Sequence, residues 1–380
     1  MTRELSHRAL VVLVVCAAAA AAAGTVPEDA WARTLRGRGV DPALVPNPIA
    51  LTPEIRAAAR ELGGNGGGDL DRLRRIQSAL YDSSRFAFSY EAGATYTAGE
   101  ALAARKGNCV SMTNLFIALA RAVGIRVRAG YLSPPAVGEK RGDLVYVTAH
   151  VVAIFENFHE KVVFDFYRLS VDPEVDLKRL DDLGLAALTL NNRAVESLAH
   201  GDLSRAEQEF EAVVRLAPDY AAAHGNLGVV RRREGDLPGA LDAYRSALAL
   251  APHDPGILGN LAALYRGLGR EREAREALLL ADLSRATPYT ILARGDLEAA
   301  DGRYEEALRF YRKAARAGPA LPEPQIAIAR LEHARGHLAE ARRAAEKAAR
   351  IAPRSEEARA VLAEIEGAVS GPEDAPRDLP

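Results

Sequence analysis

Arg105-Lys106-Gly107-Asn108-Cys109-Val110-Ser111-Met112-Thr113-Asn114-Leu115-Phe116 runs from a glycine-containing turn into a cysteine and then into an apolar helical pattern. The pattern predicts a helix over residues 110–123, with Leu115, Phe116, Leu119 and Val123 on one face and Gly124 as its stop. Cys109 is one of two cysteines in 380 residues, the other being Cys16 near the N-terminus. A lone thiol at a helix start is placed to act as a nucleophile, because a helix N-terminus favours the thiolate. It can do so only if the rest of the chain supplies a base and a group that orients the base.

Working outward, residues 125–132 alternate apolar side chains with Arg126 and Arg128, as a half-buried strand does. Residues 133–143 read as a Pro/Gly/charge loop, 144–155 as a long strand, and 161–167 as another, joined by a polar turn at 156–160. A helix followed by consecutive strands predicts an α+β domain with an antiparallel sheet. The search for a base is short. Of the eight histidines, His7 precedes the N-terminal apolar run, His159 falls in the polar turn, and His200, His224, His253, His333 and His337 lie in the helical C-terminal half. Only His150 sits inside an apolar strand pattern, Thr148-Ala149-His150-Val151-Val152. A buried, hydrogen-bonded core histidine is the alternative reading of that position. Asp165, in Val163-Phe164-Asp165-Phe166, is a second group that burial would penalise unless it is paired. Antiparallel pairing about the 156–160 turn places position 165 near position 150.

Gly107-Asn108-Cys109, a helix ending Val123-Gly124-Ile125, then Ala149-His150 and Phe164-Asp165, together resemble the transglutaminase-like (papain-related) cysteine superfamily over about residues 70–170. Order and spacing both fit, with Cys109 first, His150 next and Asp165 soon after it. The resemblance implies Cys109 as nucleophile, His150 as general base and acid, Asp165 as the orienting carboxylate, and the Cys109 backbone N–H as an oxyanion donor. It implies acyl transfer from an amide through a thioester that water or an amine resolves, with no cofactor. The chain departs from the family at Val152 and Ala153, where many relatives carry a tryptophan. Its one tryptophan, Trp31, lies outside the domain.

From about residue 187 the pattern becomes Ala/Leu/Arg/Glu helices with a strict period. Gly201, Gly235, Gly269, Gly302 and Gly336 recur with a period of about 34. Ala206, Ala240, Ala274, Ala307 and Ala341 each follow a glycine by five, and Pro218, Pro252, Pro319 and Pro353 follow four of them by seventeen. Glycine turns the chain between two helices, alanine lets them approach, and proline ends the second. This resembles the tetratricopeptide repeat. About five repeats are expected over 187–220, 221–254, 255–287, 288–321 and 322–355, with a cap helix to 369 and an acidic, Pro-rich tail at 370–380. The third departs at Ala286, where proline is missing. The fold class expected is thus an α+β papain/transglutaminase-like domain followed by an all-α repeat superhelix. Such an array binds a protein or peptide. Asn192, Asn226 and Asn260, at one position of successive repeats, and Arg232 and Arg266, at another, are candidates to hold a peptide backbone or carboxylate. The alternative is that asparagine there is only part of the repeat pattern.

At the other end, Arg3, His7 and Arg8 precede an uncharged run over 9–23 and small residues to Gly24, which reads as a secretory signal over 1–24. At about 15 residues the run is short of the roughly 20 that span a bilayer, and no later segment is long and apolar enough. The chain is therefore expected to be exported, to the periplasm or outside the cell. Leu13-Val14-Val15-Cys16 resembles a lipoprotein box, with Val15 departing from the small residue expected, so a lipid anchor at Cys16 stays open. Residues 25–68 read as an extension ending in a Gly-rich linker, Gly63-Gly64-Asn65-Gly66-Gly67-Gly68, and 69–182 as the transglutaminase-like domain. A net charge of −2 gives no electrostatic case for nucleic acid. His333 and His337 have a metal-like spacing, but Gly336 puts a turn between them, so no metal site is expected. The function expected is an exported cysteine acyl-transfer enzyme whose repeats bind substrate or partner. The competing class is a scaffold in which the transglutaminase-like domain is only structural.

Overall fold

The computed structural model describes residues 28–64, 66–132, 138–141, 144–147, 150–166 and 177–369. The segment expected to be a secretory signal, Cys16 and the 370–380 tail lie outside the described residues. The chain divides into two compact units, 1–230 and 231–380.

The first unit opens with α1 (Glu28–Gly37), α2 (Pro53–Gly63), α3 (Asp69–Tyr81), β1 (Ser89–Tyr90), α4 (Ala98–Ala104), β2 (Lys106–Gly107) and α5 (Cys109–Ala122). Then follow β3 (Val127–Leu132), β4 (Gly138–Arg141), β5 (Leu144–Val147), β6 (His150–Glu156), β7 (Lys161–Phe164) and β8 (Leu177–Leu180). Every residue of α5 from Val110 to Ala120 is buried. A helix hidden all round is the centre of a core rather than a surface element. One side of it meets the antiparallel sheet β7-β6-β3-β8. There Phe116 packs against Phe164 and Phe166 at ring distances of 4.8 and 5.2 Å. The other sides meet α2, α3 and α4, which contribute Ile55, Ala59, Leu62, Leu73, Ile76 and Ala101.

Two segments differ from the sequence expectation. The stretch 144–155 is not one strand. β5 pairs with β4 as a separate hairpin, and β6 starts anew at His150 to pair with β3 and β7. The two residues between β4 and β5, Gly142 and Asp143, are of the kind that close tight hairpins, a signal that the long apolar run of 144–155 obscures. The Gly-rich stretch after α2 does not stand between a tail and a domain. Arg75 of α3 bonds the carbonyls of Gly63, at 3.0 Å, and Gly66, so the glycines turn the chain between two helices of one core. The compact domain accordingly begins upstream of Asp69, taking in Ile49 and the buried face of α2.

The helical part comprises α6 (Asp182–Ala199), α7 (Leu203–Leu216), α8 (Ala221–Glu234), α9 (Leu237–Leu250), α10 (Pro255–Gly267), α11 (Glu271–Arg285), α12 (Pro288–Ala300), α13 (Tyr304–Ala317), α14 (Glu323–Ala334), α15 (Leu338–Ile351) and α16 (Glu356–Val369). The periodic residues have the roles their chemistry suggests. The five repeat glycines have φ between +69 and +88°, which an L side chain resists. The five alanines are fully buried. The residues before Pro218, Pro252, Pro319 and Pro353 share one non-helical geometry, with φ −131 to −137° and ψ 74 to 77°, because proline excludes the helical conformation from its predecessor. Where Ala286 replaces proline, α11 runs to Arg285 and Thr287 caps α12 with Pro288 at its first turn. In the first unit, α1 and the segment after it cover α6 and α7. Trp31, Leu35, Val40 and Val45 bury against Ala186, Leu190, Ala212, Val213 and Leu216, and the Trp31 indole N–H donates to the Val45 carbonyl at 2.9 Å.

Candidate active site

The turn that carries Cys109 is built by glycine and asparagine. Gly107 has φ +148°, and a Cβ there would lie 2.5 Å from the Ser111 Cβ and 3.2 Å from the Tyr96 ring. The parallel pairing of Tyr90 with Gly107 and the bond from Asn108 N–H to the Ala94 carbonyl at 3.0 Å tie the turn to the preceding segment. Asn108 then caps α5, its side-chain oxygen accepting from the Ser111 N–H at 3.1 Å. Cys109 is therefore the first residue of the helix, half-buried and in the free thiol form. Gly107→Ala is expected to destabilise the domain by about 1–3 kcal/mol. It should also slow alkylation of Cys109 by iodoacetamide, because the turn must move to relieve the clash. Urea unfolding and mass-spectrometric labelling measure the two effects.

One turn along α5 from Cys109, the Thr113 hydroxyl donates to the carbonyl of Val151 at 3.3 Å. Val151 is the second residue of β6, which begins at His150, so the first turn of the cysteine helix rests on the backbone beside His150. On the far side of β6, the register pairs Ala153 with Phe164, and one further step sets position 165 level with 152, two positions from 150. Asp165 is half-buried with one carboxylate oxygen wholly enclosed, and it is held between Phe164 and Phe166, both buried against Phe116. The fold thus sets the three chemistry-bearing positions on α5, at the start of β6 and just past the end of β7.

Around this turn lies a group of buried polar residues of which the motif reading used only Asn108. Thr95, Asn108, Ser111, Thr113 and Asn114 are all buried. The Asn108 amide donates to the Thr95 hydroxyl at 2.8 Å, and Ser111 Oγ accepts from the Tyr96 N–H at 2.8 Å. The polar residues at 111, 113 and 114, inside an otherwise apolar helix, were the available signal. Helix α6 also reaches the group. Asn114 donates to Thr189 at 3.2 Å, Glu196 accepts from the Thr95 hydroxyl at 2.7 Å, and Arg121 forms a two-pronged ion pair with Asp182 at 2.8 and 2.9 Å. Burial pushes the Glu196 carboxyl above the usual carboxylate range, against the opposing pull of its bonds from Thr95 and the charge of Arg193.

The five candidate peptide-binding residues divide between the units. In the first, Asn192 is half-buried on α6, and Asn226 donates to Asn191, the residue before Asn192, at 3.1 Å. In the second, Arg232 and Asn260 are half-buried and Arg266 pairs with Asp296 at 3.4 Å. Asn226 and Arg266 thus serve contacts between helices of the repeats themselves. His337 and His333 meet separate carboxylates, Glu332 at 2.8 Å and Glu364 at 3.6 Å. Among the described residues no cluster of three or more metal-ligating side chains occurs, and no helix is long and apolar enough to cross a membrane.

Comparison with known proteins gives two families. Residues 56–165 match the transglutaminase-like superfamily, and residues 183–255 and 231–289 each match the tetratricopeptide repeat. Solved structures similar to the chain include a thermophilic tetratricopeptide-repeat protein in Thermus thermophilus, at 24% identity over 48% of this chain and 99% of that one, with a TM-score of 0.44. PilF of Pseudomonas aeruginosa is 19% identical over 51% and 96%, with a TM-score of 0.42. A tetratricopeptide repeat protein from Parabacteroides merdae is 26% identical over 47% and 72%, with a TM-score of 0.37. No protein of curated function matches the chain significantly.

Proposed function

For a chain that joins a transglutaminase-like domain to tetratricopeptide repeats, we propose a cysteine acyl-transfer enzyme that acts on amide bonds of a protein or peptide, with the repeats recruiting the substrate or a partner. The observation that supports it most is the seating of the cysteine helix on the strand that starts at His150, through Thr113 and Val151. In the reaction, His150 takes the thiol proton and Cys109 Sγ bonds to the amide carbonyl carbon. The oxygen, now negative, is met by the Cys109 backbone N–H at the helix start. As the C–N bond breaks, His150 returns its proton to the departing amine and leaves a thioester on Cys109. Water or a second amine then attacks the thioester and gives its proton to His150, and the restored thiolate takes that proton back. Asp165 orients the imidazole through both halves. The N-terminal pattern of Arg3, Arg8 and the apolar run supports export to the periplasm or outside the cell, with Cys16 as the position a lipid anchor would take.

Iodoacetamide alkylation at about pH 6, well below the ~8.5 of a free thiol, tests the reading. Cys109 is expected to react about tenfold or more faster than a free cysteine, and His150→Ala to remove the advantage. Equal, slow labelling of both proteins would mark the domain as structural and the protein as a scaffold.

A further inference from the structure

Asn108, the residue that caps the cysteine helix, is linked through Thr95 to α6, a helix of the repeat-matching region. Its side-chain oxygen is committed to the Ser111 N–H at 3.1 Å, so its amide N–H must find an acceptor elsewhere, and finds the Thr95 hydroxyl at 2.8 Å. A hydroxyl that accepts from Asn108 has its proton to give, and Thr95 gives it to Glu196 of α6 at 2.7 Å. Arg193, one turn before Glu196 on the same helix, donates to the Thr95 carbonyl at 3.1 Å and pairs with Glu100. Thr95 and Asn108 are only 4% and 6% exposed, so water does not substitute for these partners. With Glu196 ionised, the order of donors runs from Asn108 to Thr95 to the carboxylate. α6 is also the first helix of the repeat-matching region, which starts at 183.

We propose that Thr95 and Glu196 are positioning residues of the acyl-transfer site, through which the first repeat helix fixes the Asn108 cap and so the aim of Cys109. This rests on the acyl-transfer reading above. Glu196 touches no reacting atom. Its carboxylate sets the direction of the Thr95 hydroxyl, the hydroxyl sets the direction of the Asn108 amide, and the amide sets the backbone one residue before the sulfur. The repeats are then part of the machinery as well as a recruiting surface, since the helix that begins them completes the hydrogen bonding of the nucleophile turn.

The test is the pH dependence of Cys109 alkylation by iodoacetamide in the full chain. Thr95→Val keeps the shape of threonine and removes the hydroxyl, leaving the buried Asn108 amide without its acceptor. Glu196→Leu removes the far end of the relay. Both are expected to lower the rate at about pH 6 by roughly tenfold and to move the profile toward that of a free thiol. Thr95→Ser, which restores the hydroxyl, and Glu196→Gln, whose side-chain oxygen still accepts, are expected to keep the wild-type profile. A merely structural role would lower the unfolding midpoint in Thr95→Val and Glu196→Leu and leave the profile of the folded protein unchanged. That result, with a fast wild-type thiol, overturns the positioning role and leaves the enzyme standing. A wild-type thiol as slow as His150→Ala overturns both.

Discussion

Cys109→Ala is expected to abolish acyl-enzyme formation while leaving the domain folded. With p-nitrophenyl acetate as acyl donor, the wild-type protein should carry a single acetyl group on Cys109, detectable by mass spectrometry after acid quench. Cys109→Ala should carry none, and release of nitrophenol should fall by about 10³-fold or more. The size of the effect follows from chemistry rather than packing. Among the described residues Cys109 carries the only thiol, and every later step of the proposed reaction depends on the bond it forms. Loss of the sulfur removes little buried surface, because Cys109 is half-buried at the first position of α5 and its cap is supplied by Asn108. The unfolding midpoint should therefore barely move. Cys109→Ser separates two causes of inactivity. A hydroxyl fills the same place, but at neutral pH His150 would have to remove a far less acidic proton, so serine should also fail to acylate. If acetylation persists unchanged in Cys109→Ala, another residue is the nucleophile and the proposed reaction falls.

The parts of the fold that the sequence made legible are those encoded by short-range repetition. A glycine held at positive φ once in every repeat, an alanine five positions on and, in four repeats, a proline that keeps the residue before it out of the helix are local demands, each stated by one residue type. The cysteine helix and the strands β3 and β7 were legible from local periodicity, whereas the apolar run over 144–155 hid the break between β5 and β6. The hidden parts depend on contacts between distant segments. Thr95 and Glu196 are 101 positions apart, and neither has a local pattern that foretells the other. Trp31 buries against α6 and α7, which lie beyond the whole sheet in chain order, so a tail by composition becomes a cover by packing. A run of glycines looks like a linker whether or not the flanking helices pack together, and the shared core of α2 and α3 and the reach of Arg75 to the carbonyls of Gly63 and Gly66 show that they do. The asparagines that recur once per repeat show the opposite limit. Their period was visible, but the bond from Asn226 to Asn191 joins neighbouring helices, a structural use that the same period encodes equally well.

Phe116→Ala is expected to give the largest loss of stability of any single change near the site, about 3–5 kcal/mol by urea unfolding. Phe116 is wholly buried at the middle of α5, and its ring lies against both Phe164 and Phe166. Alanine there removes a large apolar side chain and leaves a cavity that a helix buried on every side cannot close by shifting, because α2, α3, α4 and the sheet already occupy its surroundings. Phe116→Leu keeps most of the volume and should cost well under half as much. The two substitutions should also differ at the proposed active site, because Phe164 and Phe166 flank Asp165 and anchor the chain past the end of β7. Under conditions where the folded fraction is still nearly complete, Phe116→Ala should slow Cys109 acetylation, whereas Phe116→Leu should leave it close to wild type. A cost below about 1 kcal/mol for Phe116→Ala, or equal acetylation rates in both folded variants, would show that the aromatic cluster neither carries the contact between helix and sheet nor fixes the carboxylate. The position of Asp165 would then have to come from β7 alone.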